Sequence, residues 1–485
     1  MSFPSELARQ YIDGEWLTGN GAWDIIDFNP YNGEKLCSVT VATAAEVDLA
    51  YRAAERAQRK WATTGSYERR AVLENAVRIV GERGAEIVEL IIEELGGTRQ
   101  RAEYEVRAAQ EFLREAAGQA MWRTADLLPS AADGKENRVY RVPVGVVGVI
   151  SAFDLPFLVT MKTVAPALAL GNAVVVKPHQ NAPVAGGGLV ASIFEDAGLP
   201  AGLLNVLVTD SAEIGDSFIE HPVPKVISFT GSDRVGRHVG AVAAGLFKRT
   251  ILELGGNSAL VVLEDADLGH AVQAAVYSRF LFQGQVGMAA NRILVDRSVE
   301  KEFTERFTAA VSALPSGDPR DPDTRIGPVV SAFQAEALTA LVDGAIEAGA
   351  TALVRGRTRG NVVEPTVLTG LPEGSPLLEE EIFGPVALLV PFDGEDEALR
   401  IVNAGPHGLS GAVHTADAER GVRFARRVTG GMFHVNGPTV QDGPEVASGG
   451  EKSSGMGRLN GEAAVAAFTT RKWISVQHGR TVFPF

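Results

Sequence analysis

Hydrophobic and polar positions follow two different periods along the first third of the chain. Between residues 11 and 41, short runs with a two-residue period are separated by turn residues, a pattern typical of two β-hairpins. From Ala44 to about residue 120, apolar residues recur every three to four positions, which predicts amphipathic helices with a stop at Gly96 and Gly97. Residues 121–143 return to the alternation of a strand.

The rest of the chain alternates apolar strands with helices. Between residues 144 and 254, runs of nearly continuous Val and Ile, such as VGVVGVIS and NAVVVKP, are separated by helical segments, and the same alternation resumes from residue 255 to about 466. Such strands are typical of a parallel sheet covered on both faces. The sequence therefore predicts an α/β protein with two lobes, the first binding a dinucleotide at the carboxyl ends of its strands.

Composition and charge narrow the possible partners. A length of 485 residues suggests two to three domains, and the formal net charge of −15 argues against a nucleic-acid or anionic-membrane surface. The N-terminal segment lacks the basic and apolar regions of a secretory signal, and no apolar run reaches the roughly 20 residues of a membrane span, so a cytoplasmic protein is predicted. With Cys37 as the only cysteine and no histidine at a metal-ligand spacing, neither a disulfide nor a metal is predicted.

Several short motifs carry a resemblance to a known family. They are LELGG at residues 252–256, QGQVG at 283–287 and EEIFGPV at 380–386, together with SFTGSDRVG and VVVKP earlier in the chain. In order and spacing these motifs resemble the aldehyde dehydrogenase superfamily over nearly the whole chain, closest to the branch that oxidises aromatic aldehydes. The resemblance implies a Rossmann-type parallel-sheet cofactor lobe, a second α/β catalytic lobe and a small β extension for oligomerisation.

The resemblance also implies domain limits and a subunit arrangement. Residues 1–120 and 144–254 would form the NAD(P)-binding domain, residues 255–466 the catalytic domain, and residues 121–143 and 467–485 the oligomerisation strands. Because unpaired strands are usually covered by a neighbour, a homodimer or homotetramer is expected. An ordinary edge hairpin is the alternative interpretation of residues 121–143.

The residues implied in cofactor binding lie at strand ends. Residues 229–232 end an apolar strand and open a helix, where free backbone N–H groups and the helix dipole favour an anion. By resemblance, Ser232 contacts the pyrophosphate, Lys177 reaches the adenosine ribose, and the Glu381 carboxylate accepts from the nicotinamide ribose hydroxyls. The full predicted set is Ile150, Ser151, Phe153, Lys177, His179, Gln180, Phe229, Gly231, Ser232, Val235, Leu254, Glu381 and Phe383.

One position bears on the choice between the two nicotinamide cofactors. The family usually carries an acidic residue three positions after the lysine, where this chain has Gln180. Loss of that carboxylate removes repulsion toward a 2′-phosphate. NAD and NADP are therefore both expected to bind, with a preference for NADP.

The reacting centre departs from the family at three positions. Gly287 stands where the family has its nucleophilic cysteine, Asp154 where it has an asparagine that donates to the oxyanion, and Ser448 where an aromatic residue usually precedes Gly-Gly. Glycine cannot form a thiohemiacetal, so the covalent route is closed. The predicted catalytic residues are Glu253, which matches the family's general base, and Asp154, acting as acid and base around Gly287. A protonated Asp154 could donate to an oxyanion, whereas an ionised one would repel it.

The substrate pocket is predicted from apolar residues near these motifs, although aromatic side chains at strand and helix ends are also typical of a plain core. The predicted pocket residues are Phe157, Met161, Phe282, Val286, Met288, Asn436 and Ser448.

Three interpretations of the function remain open. The first is an NAD(P)-dependent oxidoreductase that acts on a small, aromatic aldehyde, hydrate or imine without a cysteine thioester. The second is a Cys-to-Gly substrate-trapping variant of an ordinary aldehyde dehydrogenase. The third is a non-catalytic homologue that binds nucleotide. Restoring cysteine at Gly287 separates the first two, and cofactor binding without turnover would indicate the third.

Overall fold

The secondary structure follows the predicted alternation of strands and helices. The computed structural model describes residues 3–372, 374–480, 482–483 and 485. The helices are α1 (Ala44–Trp61), α2 (Ser66–Glu82), α3 (Gly84–Leu95), α4 (Arg99–Gln119), α5 (Pro156–Ala169), α6 (Leu189–Asp196), α7 (Ser211–Ile214), α8 (Ser217–Glu220), α9 (Asp233–Gly245), α10 (Leu268–Phe280), α11 (Glu300–Ser312), α12 (Ala332–Glu347), α13 (Glu395–Asn403), α14 (Ala418–Ala425) and α15 (Gly461–Phe468). None of the described helices is long and apolar enough to cross a lipid bilayer.

The strands fall into two large sheets and several small ones. They are β1 (Gln10–Ile12), β2 (Glu15–Leu17), β3 (Asp24–Phe28), β4 (Lys35–Thr40), β5 (Ala125–Leu128), β6 (Lys135–Pro143), β7 (Val146–Ile150), β8 (Ala173–Lys177), β9 (Leu204–Val206), β10 (Pro224–Gly231), β11 (Arg249–Leu254), β12 (Ser258–Val262), β13 (Ala290–Asp296), β14 (Thr351–Val354), β15 (Thr358–Arg359), β16 (Val362–Val363), β17 (Thr366–Thr369), β18 (Val386–Phe392), β19 (His407–Gly408), β20 (Gly411–His414), β21 (His434–Val435), β22 (Glu451–Lys452), β23 (Gly455–Met456) and β24 (Thr469–Gln477).

The first sheet contains a reversal of strand order. Its strands lie in the order β2-β1-β9-β8-β7-β10-β11-β23, and the central five run parallel. The chain adds β8 and β9 on one side of β7 and then β10 and β11 on the other, so the order reverses between β7 and β10. A crevice opens at such a point, outside the carboxyl ends of the strands. Ile150 and Gly231 end β7 and β10 and lie at this crevice.

The apolar composition of the central strands follows from their position. Val147, Val174 and Val175 are fully buried, because helices cover both faces of a doubly wound sheet. The second sheet has the order β14-β17-β18-β13-β12-β20-β21 and is also mainly parallel. Residues 255–257 connect β11 directly to β12, so the carboxyl edge of the first sheet leads into the second. The predicted α/β fold is confirmed.

The segment before β24 packs on the first lobe. Val440, Leu459, Val465 and Phe468 belong to the same buried cluster as the strands of the first sheet, and β23 pairs with β11. The range 255–466 predicted for the second lobe therefore includes a stretch whose apolar side chains are buried in the first. Sequence periodicity gives the element type and not its partner, so it could not reveal this crossing.

A third sheet is formed by β24, β6 and β5. The strand β24 pairs antiparallel with β6 along its full length, and Leu127 and Trp473 on this sheet are 69% and 65% exposed. The alternation noted in residues 121–143 and in the C-terminal tail thus belongs to one small sheet with exposed apolar side chains.

Candidate active site

A cavity of about 860 Å³ lies at the crevice of the first sheet and extends to the second lobe. Its wall includes the carboxyl ends of β7, β8, β10 and β11, together with loops that carry Gly287, Glu381 and Ser448. The structure brings every predicted cofactor residue to this wall, as well as Asp154, Glu253 and Gly287. One end is formed by residues predicted to hold the cofactor and the other by residues predicted to react.

The helix that follows β10 presents its N-terminus to the cavity. Ser232 is the N-cap of α9, and its hydroxyl oxygen accepts a hydrogen bond from the Val235 N–H at 3.4 Å. The remaining N–H groups of the first helical turn have no partner within the helix. Such a helix end fits a pyrophosphate, so these residues suit the group that the resemblance implies.

The end of β8 supplies a cation without a fixed partner. Lys177 is half-buried, burial lowers its pKa, and the carboxylate of Asp210 opposes that shift. Among the described residues, none forms a hydrogen bond or salt bridge with this ammonium group, and it lines the cavity. An ammonium group in this position is suited to a ribose hydroxyl or a phosphate oxygen. Asp210 was missed by sequence reasoning, although its position before α7 as an N-cap marks it out.

Aromatic residues join the two ends of the cavity. The Phe153 ring lies 5.1 Å from the His179 ring and 5.7 Å from the Phe383 ring. Burial, followed by the charge of Lys177, lowers the pKa of His179 to about 4. The imidazole is therefore neutral at physiological pH and acts as part of an apolar wall.

The two glycines of LELGG are explained by close approach. A Cβ atom on Gly255 would lie 2.3 Å from Glu381 Oε2, and one on Gly256 would lie 2.6 Å from the Gly287 carbonyl oxygen. The Gly256 N–H donates to Glu381 Oε1 at 3.0 Å. Burial raises the pKa of Glu381 to about 7. The glycine pair thus allows Glu381 and the Gly287 loop to pack against the end of the first sheet.

Gly287 itself is under no such constraint. A Cβ atom there would meet Leu409 Cδ2 at 3.4 Å, the Leu254 carbonyl oxygen at 3.8 Å and Glu381 Oε1 at 3.9 Å, all ordinary contact distances. Its backbone does not adopt a positive φ angle. Neither the packing nor the backbone therefore requires glycine at this position.

The loop that leads to Gly287 is strained and firmly held. Phe282, Gln283 and Gly284 have φ angles of 48°, 54° and 71°, and each non-glycine residue in this region costs about 1–3 kcal/mol. The buried Gln283 amide offsets this cost by donating to the carbonyl oxygens of Gly96 at 3.0 Å and Pro328 at 2.9 Å. The shape of the loop is thus maintained by contacts outside it.

A buried arginine ties this loop to the loop that carries Glu381. Arg279 donates to the carbonyl oxygens of Gly284 at 2.8 Å, Gly384 at 2.6 Å and Ile382 at 3.1 Å. Burial lowers the pKa of Arg279 to about 9, and the charge of Glu381 opposes the shift. Sequence reasoning missed Arg279, whose only signal is a charged residue in the otherwise apolar second half of α10.

Asp154 is the titratable group that is predicted to act at Gly287. Burial raises the pKa of Asp154 to about 7, and nearby backbone N–H groups and the charge of Arg101 oppose the shift. Arg101 is fully buried, 2.7 Å from Glu105 and stacked 4.1 Å from the centre of the Phe282 ring. At neutral pH the carboxyl group is therefore poised between its two protonation states.

Glu253 is engaged in an ion pair. Lys162 Nζ lies 2.8 Å from Glu253 Oε1, 2.8 Å from Asp442 Oδ2 and 3.0 Å from Ser448 Oγ. Burial alone would lower the pKa of Lys162, but Asp442 and Glu253 outweigh it and hold the pKa above its usual value. The sequence analysis assigned Glu253 as a base without this partner. A lone lysine in the apolar helix α5 is the signal that was missed, because a buried charge needs a partner.

The predicted substrate pocket is divided between the cavity and the core. Val286, Met288 and Ser448 line the cavity, but Phe157 and Met161 are fully buried in the first core. Residues 157 and 161 share one face of α5, whereas Leu158 and Lys162 share the neighbouring face that lines the cavity.

The two other predicted pocket residues also lie off the cavity wall. Phe282 is buried beneath Arg101. The Asn436 side chain accepts from the Thr415 N–H at 2.9 Å and donates to the Thr415 carbonyl oxygen at 3.0 Å, which fixes it in a loop. A run of apolar residues predicts burial, but not which of two neighbouring faces a cavity occupies.

The strand order and the cavity at the reversal point define a doubly wound α/β protein with a dinucleotide-type crevice. Comparison with known proteins gives the family. The sequence matches the model of the aldehyde dehydrogenase family over residues 16–474. The chain therefore belongs to the aldehyde dehydrogenase family, which comprises oxidoreductases that act on aldehydes, and the predicted family and enzyme class are confirmed.

Individual relatives cover the whole chain. It is 52% identical to the benzaldehyde dehydrogenase YfmT of Bacillus subtilis, with 99% of each chain covered. It is 43% identical to a vanillin dehydrogenase of Corynebacterium glutamicum, with 97% of this chain and 98% of the relative covered. A solved NAD-dependent benzaldehyde dehydrogenase from Corynebacterium glutamicum superposes with a TM-score of 0.90 at 40% identity, over 99% of this chain and 98% of that one.

Proposed function

We propose that this chain is an NAD(P)-dependent oxidoreductase that oxidises an aromatic aldehyde, in its hydrated form, without a cysteine thioester. The observation that carries the proposal is Asp154, a carboxyl group with a pKa of about 7 that lines the same cavity as Gly287 and the predicted cofactor residues. The names of the similar benzaldehyde and vanillin dehydrogenases support an aromatic substrate.

The chemistry balances without a sulfur nucleophile. A hydrated aldehyde carries one hydrogen and two hydroxyl groups on the same carbon, and loss of that hydrogen as hydride and of one hydroxyl proton leaves a carboxylic acid. A bound nicotinamide supplies the hydride acceptor. Asp154 in its ionised form takes the hydroxyl proton and passes it to water. The net change converts aldehyde, water and oxidised cofactor into acid, reduced cofactor and a proton.

The environment of Gly287 suits this role for Asp154. In its ionised form, the carboxylate would repel an oxyanion, so it serves better as a base than as an oxyanion donor. The absence of a side chain at Gly287 leaves room for a hydroxyl group in the cavity that Asp154 also lines. The contact with Lys162 at 2.8 Å orients the Glu253 carboxylate, so Glu253 is proposed to order the water and the hydrate.

The cofactor end would hold the dinucleotide through Ser232 and α9 at the pyrophosphate, Lys177 at the adenosine ribose, and Glu381 with Phe383 at the nicotinamide. We infer a preference for NAD, which reverses the preference for NADP that Gln180 suggested. Asp210 lies near Lys177 on the cavity wall and would repel a 2′-phosphate. One of the similar solved structures is named as NAD-dependent.

We further infer that the chain assembles as a homodimer or homotetramer through the third sheet. The exposed Leu127 and Trp473 side chains support this arrangement, because a paired subunit would cover them. Light scattering that returns the mass of a single chain would contradict it.

The direct test is oxidation of benzaldehyde by the purified full-length chain with NAD. Reduced cofactor and benzoate should form in equal amounts, and mass spectrometry of the protein during turnover should find no acyl adduct. Binding of NAD without turnover of any aromatic aldehyde would overturn the proposal and favour a nucleotide-binding homologue.

A second candidate is an ordinary aldehyde dehydrogenase centre that has lost its nucleophile and traps substrate. The space at Gly287 favours it, because a Cβ atom fits there at contact distances of 3.4 Å or more. The Gly287→Cys variant decides between the two. A gain in kcat/KM with aldehyde of more than about 100-fold, accompanied by an acyl adduct, would favour the trap. No gain would favour the cysteine-independent reaction.

A further inference from the structure

A polar cluster in the cavity contains a serine whose hydroxyl proton has no hydrogen-bond acceptor among the described residues. Ser448 Oγ accepts from Lys162 Nζ at 3.0 Å and from Asn460 Nδ2 at 3.2 Å. A hydroxyl oxygen has two acceptor positions and one proton to donate. Both acceptor positions are filled, so the proton must be directed elsewhere, and Ser448 lines the cavity. No acceptor for it is found among the residues that the structure describes.

Tyr104 contributes a second hydroxyl group from α4. It lines the same cavity wall as Lys162, Asp442 and Ser448. Burial raises the pKa of Tyr104 to about 12, so the phenol keeps its proton at neutral pH. Within the described parts of the chain, its hydroxyl group forms no hydrogen bond. Tyr104 and Ser448 therefore offer two donors to whatever occupies this part of the cavity.

The charge of the cluster restricts what those donors would accept. Lys162 is paired with two carboxylates, Glu253 and Asp442, each 2.8 Å away, so the group carries a net negative charge. The three side chains are 8%, 14% and 11% exposed, and water screens them poorly. An anionic acceptor would be repelled, whereas a neutral oxygen would not.

We propose that Tyr104 and Ser448 select neutral aromatic aldehydes that carry an oxygen substituent on the ring, as a phenolic hydroxyl or a methoxyl group. The inference rests on the proposed function, because it requires an aromatic aldehyde in this cavity. Val286 and Met288 supply apolar contact for the ring. Lys162 and Asn460 act as positioning residues that orient the Ser448 hydroxyl.

The test is calorimetric titration of the full-length protein, without added cofactor, so that binding is measured apart from turnover. The ligands are benzaldehyde, the three hydroxybenzaldehydes, 4-methoxybenzaldehyde and 4-formylbenzoate. At least one oxygen-substituted neutral aldehyde should bind about 10-fold more tightly than benzaldehyde, and 4-formylbenzoate should bind most weakly.

Two variants assign the preference to the two hydroxyl groups. Ser448→Ala and Tyr104→Phe should each reduce the ratio of Kd values between benzaldehyde and the best substituted aldehyde by about 3- to 10-fold. The matched controls Ser453→Ala and Tyr67→Phe alter side chains that do not line the cavity and should leave the ratio unchanged. Thermal unfolding checks each variant, and the ligand series on the unaltered protein decides the matter if a variant does not fold.

The proposal is overturned if benzaldehyde binds as tightly as every substituted neutral aldehyde, if 4-formylbenzoate binds best, or if both variants keep the original ratio. These outcomes are separate from failure of the proposed function. A binding preference without turnover would overturn the oxidoreductase proposal and leave this one standing. Turnover of benzaldehyde without any preference would do the reverse.

Discussion

The two ends of the cavity differ in how they compare with the pattern that the family resemblance implies. At the cofactor end, the predicted residues all line the wall, and the main features are a helix N-terminus capped by Ser232 and a strand end at Lys177. At the reacting end, the proposed function takes Asp154, Gly287 and Ser448 as departures from that pattern. On this proposal, a site made largely of backbone groups is carried over with the fold, whereas a site that depends on single side chains is not.

The backbone of the reacting end is firmly held. Phe282 and Gln283 have positive φ angles, and Gln283 and Arg279 fix the loop that presents Gly287. On the proposed function, this loop serves the cavity although position 287 supplies no side chain.

The largest expected effect concerns the reacting end and its base. Asp154→Asn should lower kcat/KM for aldehyde oxidation by about 100- to 10,000-fold, because the proton acceptor is lost. In the unaltered protein, kcat/KM should rise with pH through about 7, since burial raises the pKa of Asp154 to about 7 and only the ionised form accepts a proton. The variant should lack this rise. The measurement is the pH dependence of kcat/KM.

A control lies outside the cavity. Asp267 caps α10 and does not line the cavity, so Asp267→Asn should keep the pH profile of the unaltered protein. An unchanged pH profile in Asp154→Asn would show that Asp154 is not the proton acceptor at the reacting end.

The second effect concerns the ion pair that sequence reasoning missed. Lys162→Met leaves Glu253 and Asp442 buried without their cation and should lower the free energy of unfolding by about 3–5 kcal/mol at neutral pH. Because the pKa of Lys162 is raised in the folded state, its contribution is fully present at neutral pH and below. The loss in the variant should therefore be the same at neutral and at mildly acid pH.

Chemical denaturation at pH 7.5 and pH 5 measures both parts of this prediction. Lys301→Met, on the exposed face of α11, is the matched control and should change the free energy of unfolding by less than about 0.5 kcal/mol. Equal losses for the two variants would show that the Lys162 cluster is not a buried network.

Features of the backbone could be predicted from the sequence more readily than contacts of single side chains. The strand ends at Ile150 and Gly231 are marked by local pattern, and the topology that brings them together follows from general rules for parallel sheets. The close approach that requires Gly256 is also signalled locally, by the Gly-Gly pair. Each of these features carries a local signal in the sequence, although its contacts lie far away along the chain, and for that reason it could be predicted.

Other features depend on contacts that no local pattern encodes. Lys162 and Asp442 are 280 positions apart and meet only because the segment after Val440 returns to the first lobe. Phe157 was assigned to the cavity although it faces the core, because hydrophobic periodicity does not distinguish a face that lines a cavity from one that is packed.

The third effect concerns the cofactor end. Asp210→Asn should raise the ratio of kcat/KM for NADP to that for NAD by about 10-fold, because a carboxylate near the 2′-phosphate is neutralised while asparagine still caps α7. Initial rates with each cofactor measure the ratio. Glu213→Gln on the same short helix does not line the cavity and is the control. An unchanged ratio would show that Asp210 does not determine the preference between NAD and NADP. The preference for NADP expected from Gln180 would then stand.

The smallest effect tests whether packing requires glycine at position 287. Gly287→Ala should change the free energy of unfolding by no more than about 1 kcal/mol, and a small gain is expected because alanine restricts the unfolded chain. Gly256→Ala is the matched comparison and should be clearly destabilising, since its Cβ atom would lie 2.6 Å from the Gly287 carbonyl oxygen. Thermal and denaturant unfolding of the two variants give the measurement. Equal losses would mean that glycine at position 287 is required by packing, and the difference between the two ends of the cavity would then be structural instead of chemical.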